Sequence, residues 1–185
     1  ESKSQLRSSL PQLFNRLQKR FQFSLLSGDT EKDKTLMQRV FPKEAVLQFG
    51  QKPLDKLHFI ECLQAKGKKV LMLGDGLNDA GALQQSNVGI TLSENINNFS
   101  PSCDAILDAK QFGQLPNLIK LATFSNTIIA ITFFVSILYN IIGIGFSVQG
   151  KLNPMIAAIL MPTSTISIIL LTTGLSYWGA KRFLK

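Results

Sequence analysis

The spacing of apolar and polar residues changes once along the 185-residue chain, and the change divides it into an alternating part and a membrane-type part. Residues Ser4 to Arg20 place Leu6, Leu10, Leu13, Phe14 and Leu17 at helical spacing, with a basic outer face. Phe23-Ser24-Leu25-Leu26 reads as a short strand, Thr30 to Val40 as a helix, and Ala45-Val46-Leu47-Gln48-Phe49 as a second strand. The next helix opens at Pro53, with Leu57, Ile60 and Leu63 on its apolar face. Val70-Leu71-Met72-Leu73 has the length and bounding of a buried parallel strand. Ala80 to Gln85 begins another helix, and Asn87 to Thr91 and Asp104 to Leu107 read as strands. This alternation predicts an α/β sheet of parallel strands.

Beyond residue 115 the pattern is different. Thr127 to Val148 holds no charge in 22 residues, and Leu152 to Ala180 holds none either. A membrane-spanning helix needs about 20 apolar residues, so both stretches qualify, joined by a tight turn at Gln149-Gly150-Lys151-Leu152-Asn153-Pro154. The chain thus divides into a cytosolic α/β part, residues 1–115, and a two-helix transmembrane hairpin with a short tail, residues 116–185. Lys120 precedes the first span, and Lys181, Arg182 and Lys185 follow the second. By the positive-inside rule both ends face the cytoplasm. The expected location is a plasma or inner membrane, with the lipid bilayer as partner.

Composition narrows this little. The net charge of +8 would suit nucleic acid, but the basic residues are scattered through the first 70 positions or gathered at the C-terminus, without aromatic interleaving. No nucleic-acid partner is expected. Cys62 and Cys103 lack metal-site spacing and read as reduced thiols. His58, the only histidine, makes no metal site by itself and reads as a surface residue. The start is polar, without a signal peptide, and opens at Glu1 rather than Met, which fits a piece of something longer.

The densest candidate chemistry is Gly74-Asp75-Gly76-Leu77-Asn78-Asp79-Ala80-Gly81-Ala82-Leu83, directly after the Val70–Leu73 strand. Open α/β sheets place ligand sites at the carboxyl ends of their strands. Two aspartates and an asparagine offer oxygen donors suited to Mg²⁺, which fills its remaining positions with water and phosphate. Gly74 and Gly76 allow a sharp turn and close approach to a ligand. An Asx-rich turn is the plain alternative. Ser27-Gly28-Asp29, also at a strand end, could cradle phosphate or simply turn the chain. Lys56, near the first turn of the Pro53 helix, reads by itself as a solvated surface lysine.

Read together, these stretches resemble the P-type ATPases, ion pumps whose phosphorylation domain is a haloacid dehalogenase-like fold. The loop at Gly74 meets every fixed position of their GDGxNDxxAL hinge motif, Ser27-Gly28-Asp29 resembles their (T/S)GD motif, and Pro53-Leu54-Asp55-Lys56 resembles their PxxK motif. Asn87 to Thr91 resembles their VGIA strand. The fold implied is a partial haloacid dehalogenase-like, Rossmann-like α/β domain. The resemblance implies that Asp75 holds Mg²⁺, that Asn78 and Asp79 support its loop, and that Ser27 and Lys56 contact phosphoryl oxygens, with Gly28 and Asp29 in the same cradle. ATP is then the substrate of the intact pump.

The hairpin narrows the resemblance to the heavy-metal class. Copper-transporting members carry YN in the penultimate helix and MxxSS in the last; here stand Tyr139-Asn140 and Met161-Pro162-Thr163-Ser164-Thr165. Thioether sulfur favours Cu(I). Met161 and Ser164 share one helical face. The expected transport site is Tyr139, Asn140, Met161 and Ser164; helix–helix hydrogen bonding is the plain reading of the same polar groups. The zinc and cadmium class uses a lysine and an aspartate in these helices, and neither span has them. Thr165, Pro162 and Gly81 depart from the usual pattern.

The family's nucleophile, the first aspartate of DKTGT, has no counterpart here. Asp33-Lys34-Thr35 continues as Leu36-Met37 and lies after the Ser-Gly-Asp motif rather than before it. The nucleotide-binding insert and the upstream membrane block are also absent from these residues. The chain reads as a C-terminal portion that needs the N-terminal remainder of the pump as partner and is inactive alone. Two alternatives stand beside this: a membrane-anchored haloacid dehalogenase-type phosphatase, and a non-catalytic pump remnant.

Overall fold

The computed structural model describes residues 2–29, 34–76, 78–94, 103–150 and 153–184. The chain forms two compact units, Glu1–Pro116 and Asn117–Lys185. The first is an α/β unit in the order α1 (Ser2–Leu17), β1 (Ser24–Leu26), α2 (Lys34–Val40), β2 (Val46–Gln48), α3 (Pro53–Ala65), β3 (Leu71–Gly74), α4 (Ala80–Gln85), β4 (Val88–Ser93), β5 (Ala105–Asp108) and a 3₁₀ segment, Ala109–Gln114. The helix expected over Thr30–Val40 is present from Lys34; Thr30 to Asp33 lie outside the described residues, as do Leu77, Lys151, Leu152 and Lys185.

Among the described residues the strands form two parallel ladders. β1 pairs with β2, Leu25 opposite Leu47. β3, β4 and β5 pair in that order, Gly74 opposite Thr91 and Thr91 opposite Ile106. α2 lies in the connection from β1 to β2 and α4 in that from β3 to β4, since parallel neighbours need a long crossover. The core gathers α1 through Leu13, Phe14 and Leu17, α3 through Ile60, α4 through Ala82 and Leu83, and the 3₁₀ segment through Phe112. Phe14 is the aromatic hub of the first ladder's side, with ring centroids 4.7 Å from Phe23 and 4.6 Å from Phe41.

The close fit of α4 on β4 depends on a glycine. A Cβ on Gly89 would stand 2.5 Å from the Leu83 carbonyl oxygen. Only the bare backbone of β4 lets α4 lie this near, and α4 in turn sets where the Asp75 loop ends.

The second unit holds most of α5 (Leu115–Val148) and all of α6 (Pro154–Phe183). Both helices are long and apolar enough to cross a membrane. α5 has 34 residues and is about 51 Å long, more than the roughly 30 Å of a hydrocarbon core. It begins a dozen residues before the uncharged run at Thr127, with Lys120 the one charged residue in that portion. Gly150, at φ +65, turns the chain after α5. Asn153 caps α6, its side-chain oxygen accepting from the Met155 N–H at 3.5 Å. The helices meet through Gly143 against Leu160, Gly179 against Phe124, and Phe124 against Trp178 and Phe183. Small residues admit close approach where burial against lipid supplies no drive.

Candidate phosphoryl-transfer site

The site begins where β3 ends. Gly76 is buried and has φ +82, a conformation that side chains resist, and it reverses the chain after Asp75. Gly74 makes room within the loop itself. A Cβ there would meet Asp79 Oδ2 at 2.9 Å, so the missing side chain is the space the Asp79 carboxylate occupies.

The two aspartates of the loop have separate environments. Asp75 is exposed. Asn78 braces it, donating from its backbone N–H to Oδ1 at 3.3 Å and, over a long 3.5 Å, from Nδ2 to Oδ2. Asp79 is buried, and Lys56 Nζ donates to its Oδ1 at 2.6 Å. The Asp79 carbonyl accepts from the Leu83 N–H and so opens α4. Lys56 stands in the first turn of α3, which Asp55 closes by accepting from the Lys52 N–H at 2.9 Å.

Ser27, Gly28 and Asp29 follow β1. Ser27 Oγ accepts from the Asp29 N–H at 3.1 Å, a local hydroxyl turn. The loop is pinned to the end of β2 by Ser27 N–H to the Gln48 carbonyl, Gln51 N–H to the Ser27 carbonyl and Gly50 N–H to the Asp29 carbonyl. Lys56 is therefore joined to Asp79, Asp75 to Asn78, and Ser27 to Asp29. No hydrogen bond links Ser27 directly to Lys56.

The donor set fits a hard cation. Among the described residues no three His, Cys, Asp or Glu side chains gather as a metal cage. Mg²⁺ does not need one: one or two carboxylates suffice, with water and phosphate completing the shell. Asp75, exposed and held by Asn78, offers a carboxylate of that kind.

In the hairpin, Tyr139 Oη and Ser167 Oγ lie 3.2 Å apart, bridging α5 and α6. Asn140 Nδ2 donates to the Ser136 carbonyl and Ser164 Oγ to the Met161 carbonyl, each within its own helix. Met161 is 77% exposed and lines a shallow groove with Ala158, Pro162 and Thr165. No hydrogen bond joins Tyr139 or Asn140 to Met161 or Ser164. Ser167 escaped the sequence reading, although it lies three residues after Ser164 on the same face. Thr91 escaped as well: only strand register places it beside Gly74. His58 is on the surface, with Nδ1 3.0 Å from Glu61 Oε2.

A family model for haloacid dehalogenase-like hydrolases matches residues 1–87. A probable copper-importing P-type ATPase of Enterococcus hirae is 36% identical over 124 residues, 67% of this chain and 17% of the relative. A copper-transporting ATPase of Helicobacter felis is 30% identical over 154 residues, 80% of this chain and 21% of the relative. The chain thus spans about a fifth or less of the length of these curated relatives. Among solved structures, the catalytic domain of a CPx-ATPase matches with TM-score 0.53 and 31% identity, over 60% of this chain and 45% of that one. A zinc-transporting PIB-type ATPase shares the fold, with TM-score 0.66 and 20% identity, over 82% of this chain and 24% of that one.

Proposed function

We propose, from the premise that this chain is a homologue of the heavy-metal P-type ATPases with their haloacid dehalogenase-like fold, that it supplies half of a phosphoryl-transfer site and two membrane helices of an ATP-driven metal pump. The observation that carries the reading is the division of labour at the end of β3: Asp75 exposed and braced, Asp79 buried on Lys56.

In this reading Asp75 is the Mg²⁺ ligand, and the ion, when bound, neutralises charge on the phosphoryl oxygens. Asn78 keeps the Asp75 carboxylate turned outward. Asp79 holds the Lys56 ammonium beside the loop, where it supplies point charge to a phosphoryl group. Ser27 and the Gly28 and Asp29 backbone form a second phosphate contact. The carboxylate that accepts the phosphoryl group comes from a segment other than these 185 residues, which contain no DKTGT. β1 and β3 each end their ladder, and each leads into one of the two loops. A further parallel strand paired to either would deliver its own carboxyl end to this place.

Cu(I) is the favoured cargo. Met161 offers a soft sulfur, the uncharged spans lack lysine and aspartate, and the two relatives described are named for copper. Tyr139, Asn140 and Ser164 would line the path with it, placing the protein in the membrane with its α/β part in the cytosol.

The test is metal-stimulated ATP hydrolysis by the product of the complete open reading frame in lipid. Cu(I) should stimulate and Zn²⁺ should not; stimulation by Zn²⁺ alone would overturn the choice of metal. Asp75→Asn should abolish Mg²⁺-dependent phosphoenzyme, and undiminished phosphoenzyme would remove Asp75 from its role. A protein with neither activity would be a pump remnant.

A further inference from the structure

Thr91 is 2% exposed, and its Oγ1 has no hydrogen-bond partner among the described residues. A buried hydroxyl without a partner is unfavourable, so its surroundings matter. Thr91 stands opposite Gly74 in the parallel register of β3 and β4. Register partners on neighbouring strands face the same side of a sheet, about 4.8 Å apart. That side is the one on which Asp79 Oδ2 rests against the Gly74 backbone. Gly89, two residues earlier on β4 and thus on the same side, touches the α4 backbone at Leu83. The Thr91 hydroxyl therefore lies beneath α4, one strand across from the Asp79 carboxylate.

That carboxylate is half satisfied. Oδ1 takes the Lys56 ammonium; Oδ2 receives no hydrogen bond among the described residues. An orphan donor and an open acceptor thus lie on one face of the sheet, on positions one strand spacing of about 4.8 Å apart, which a single water can bridge. A buried water makes two to four hydrogen bonds.

We propose that Thr91 is a positioning residue for Asp79, its hydroxyl donating through one bridging water to Asp79 Oδ2. The carboxylate is then fixed at both oxygens, and the Lys56 ammonium is fixed with it. The consequence for phosphate contact rests on the function proposed above; the contact itself does not.

The experiment uses the purified 185-residue chain in detergent micelles, with unfolding of its α/β unit followed by calorimetry. Thr91→Val keeps the shape and removes the hydroxyl; Thr91→Ser keeps the hydroxyl. The valine variant should lower the midpoint by roughly 4–8 °C, while the serine variant stays within about 2 °C of the parent. In an Asp79→Asn background the effect of Thr91→Val should fall by at least half, because the acceptor has changed. A valine variant with an unchanged or raised midpoint would overturn the proposal, since that is how a merely packed hydroxyl behaves. So would an effect of equal size in both backgrounds. The valine and serine comparison stands alone should Asp79→Asn not fold. None of these readouts involves phosphate, so failure of the pump assignment would appear separately, as missing phosphoenzyme.

Discussion

Lys56 Nζ donates to Asp79 Oδ1 at 2.6 Å across 23 residues of sequence, and both side chains are only 12% exposed. The bond ties the first turn of α3 to the residue that opens α4. Two motifs separated along the chain become one structural unit through it.

Breaking this pair from one side leaves a charge with little water to receive it. Lys56→Met should cost about 3 kcal/mol of stability, and Asp79→Leu a similar amount. The double variant should recover much of the loss, because neither charge is then stranded. Denaturant unfolding of the three variants measures the coupling. Strict additivity would show the two groups to be independent.

Three glycines around the site predict opposite signs. Gly74→Ala puts a Cβ 2.9 Å from Asp79 Oδ2 and should dislodge the carboxylate from Lys56. Gly89→Ala meets a backbone oxygen at 2.5 Å, which cannot turn aside, and should cost about 1–3 kcal/mol. Gly81 lies within α4 with nothing inside 4 Å of a new Cβ. Gly81→Ala should stabilise by roughly 0.5–1 kcal/mol. Thermal midpoints of the three variants settle the signs.

The hairpin offers a graded prediction. Tyr139→Phe removes the Tyr139–Ser167 hydrogen bond and should weaken helix association by only about 0.6 kcal/mol. Gly179→Leu intrudes where even a Cβ would lie 2.6 Å from the Phe124 ring. It should disturb the Phe124, Trp178 and Phe183 cluster much more. Disulfide trapping between cysteines placed on α5 and α6 would rank the two; equal trapping would refute the ranking.

The strands were legible as apolar runs between turn residues, and Val70–Leu73 and β3 differ by one residue at each end, although β3 is half-buried along its length rather than buried as expected. Helix α4 was legible in full, from Ala80 to Gln85. The two separate ladders were not legible, because hydrophobic pattern states that a segment is a strand without naming its neighbour. The Asp75 loop was visible as a motif, but the different environments of Asp75 and Asp79 depend on α3 delivering Lys56 from 23 residues away. The space that Gly74 leaves for Asp79 was not legible, because it depends on how the loop folds back on the strand end. Thr91 gave no signal, since a threonine in a strand is ordinary until its register partner is known. Ser167 did give one, by its spacing from Ser164.

Separate ladders also bear on how the α/β unit opens. Backbone amides exchange hydrogen with solvent in groups that open together. β1 and β2 share no ladder bond with β3, β4 and β5 among the described residues. Deuterium uptake should therefore divide the unit in two, with Leu25 and Leu47 exchanging at one rate and Leu73, Ile90 and Ile106 at a slower one. Ser27 belongs to the faster group and Asp75 to the slower. The two halves of the candidate site would then sit on bodies that breathe independently, and the arrival of a shared ligand would be felt as the merging of two exchange rates into one.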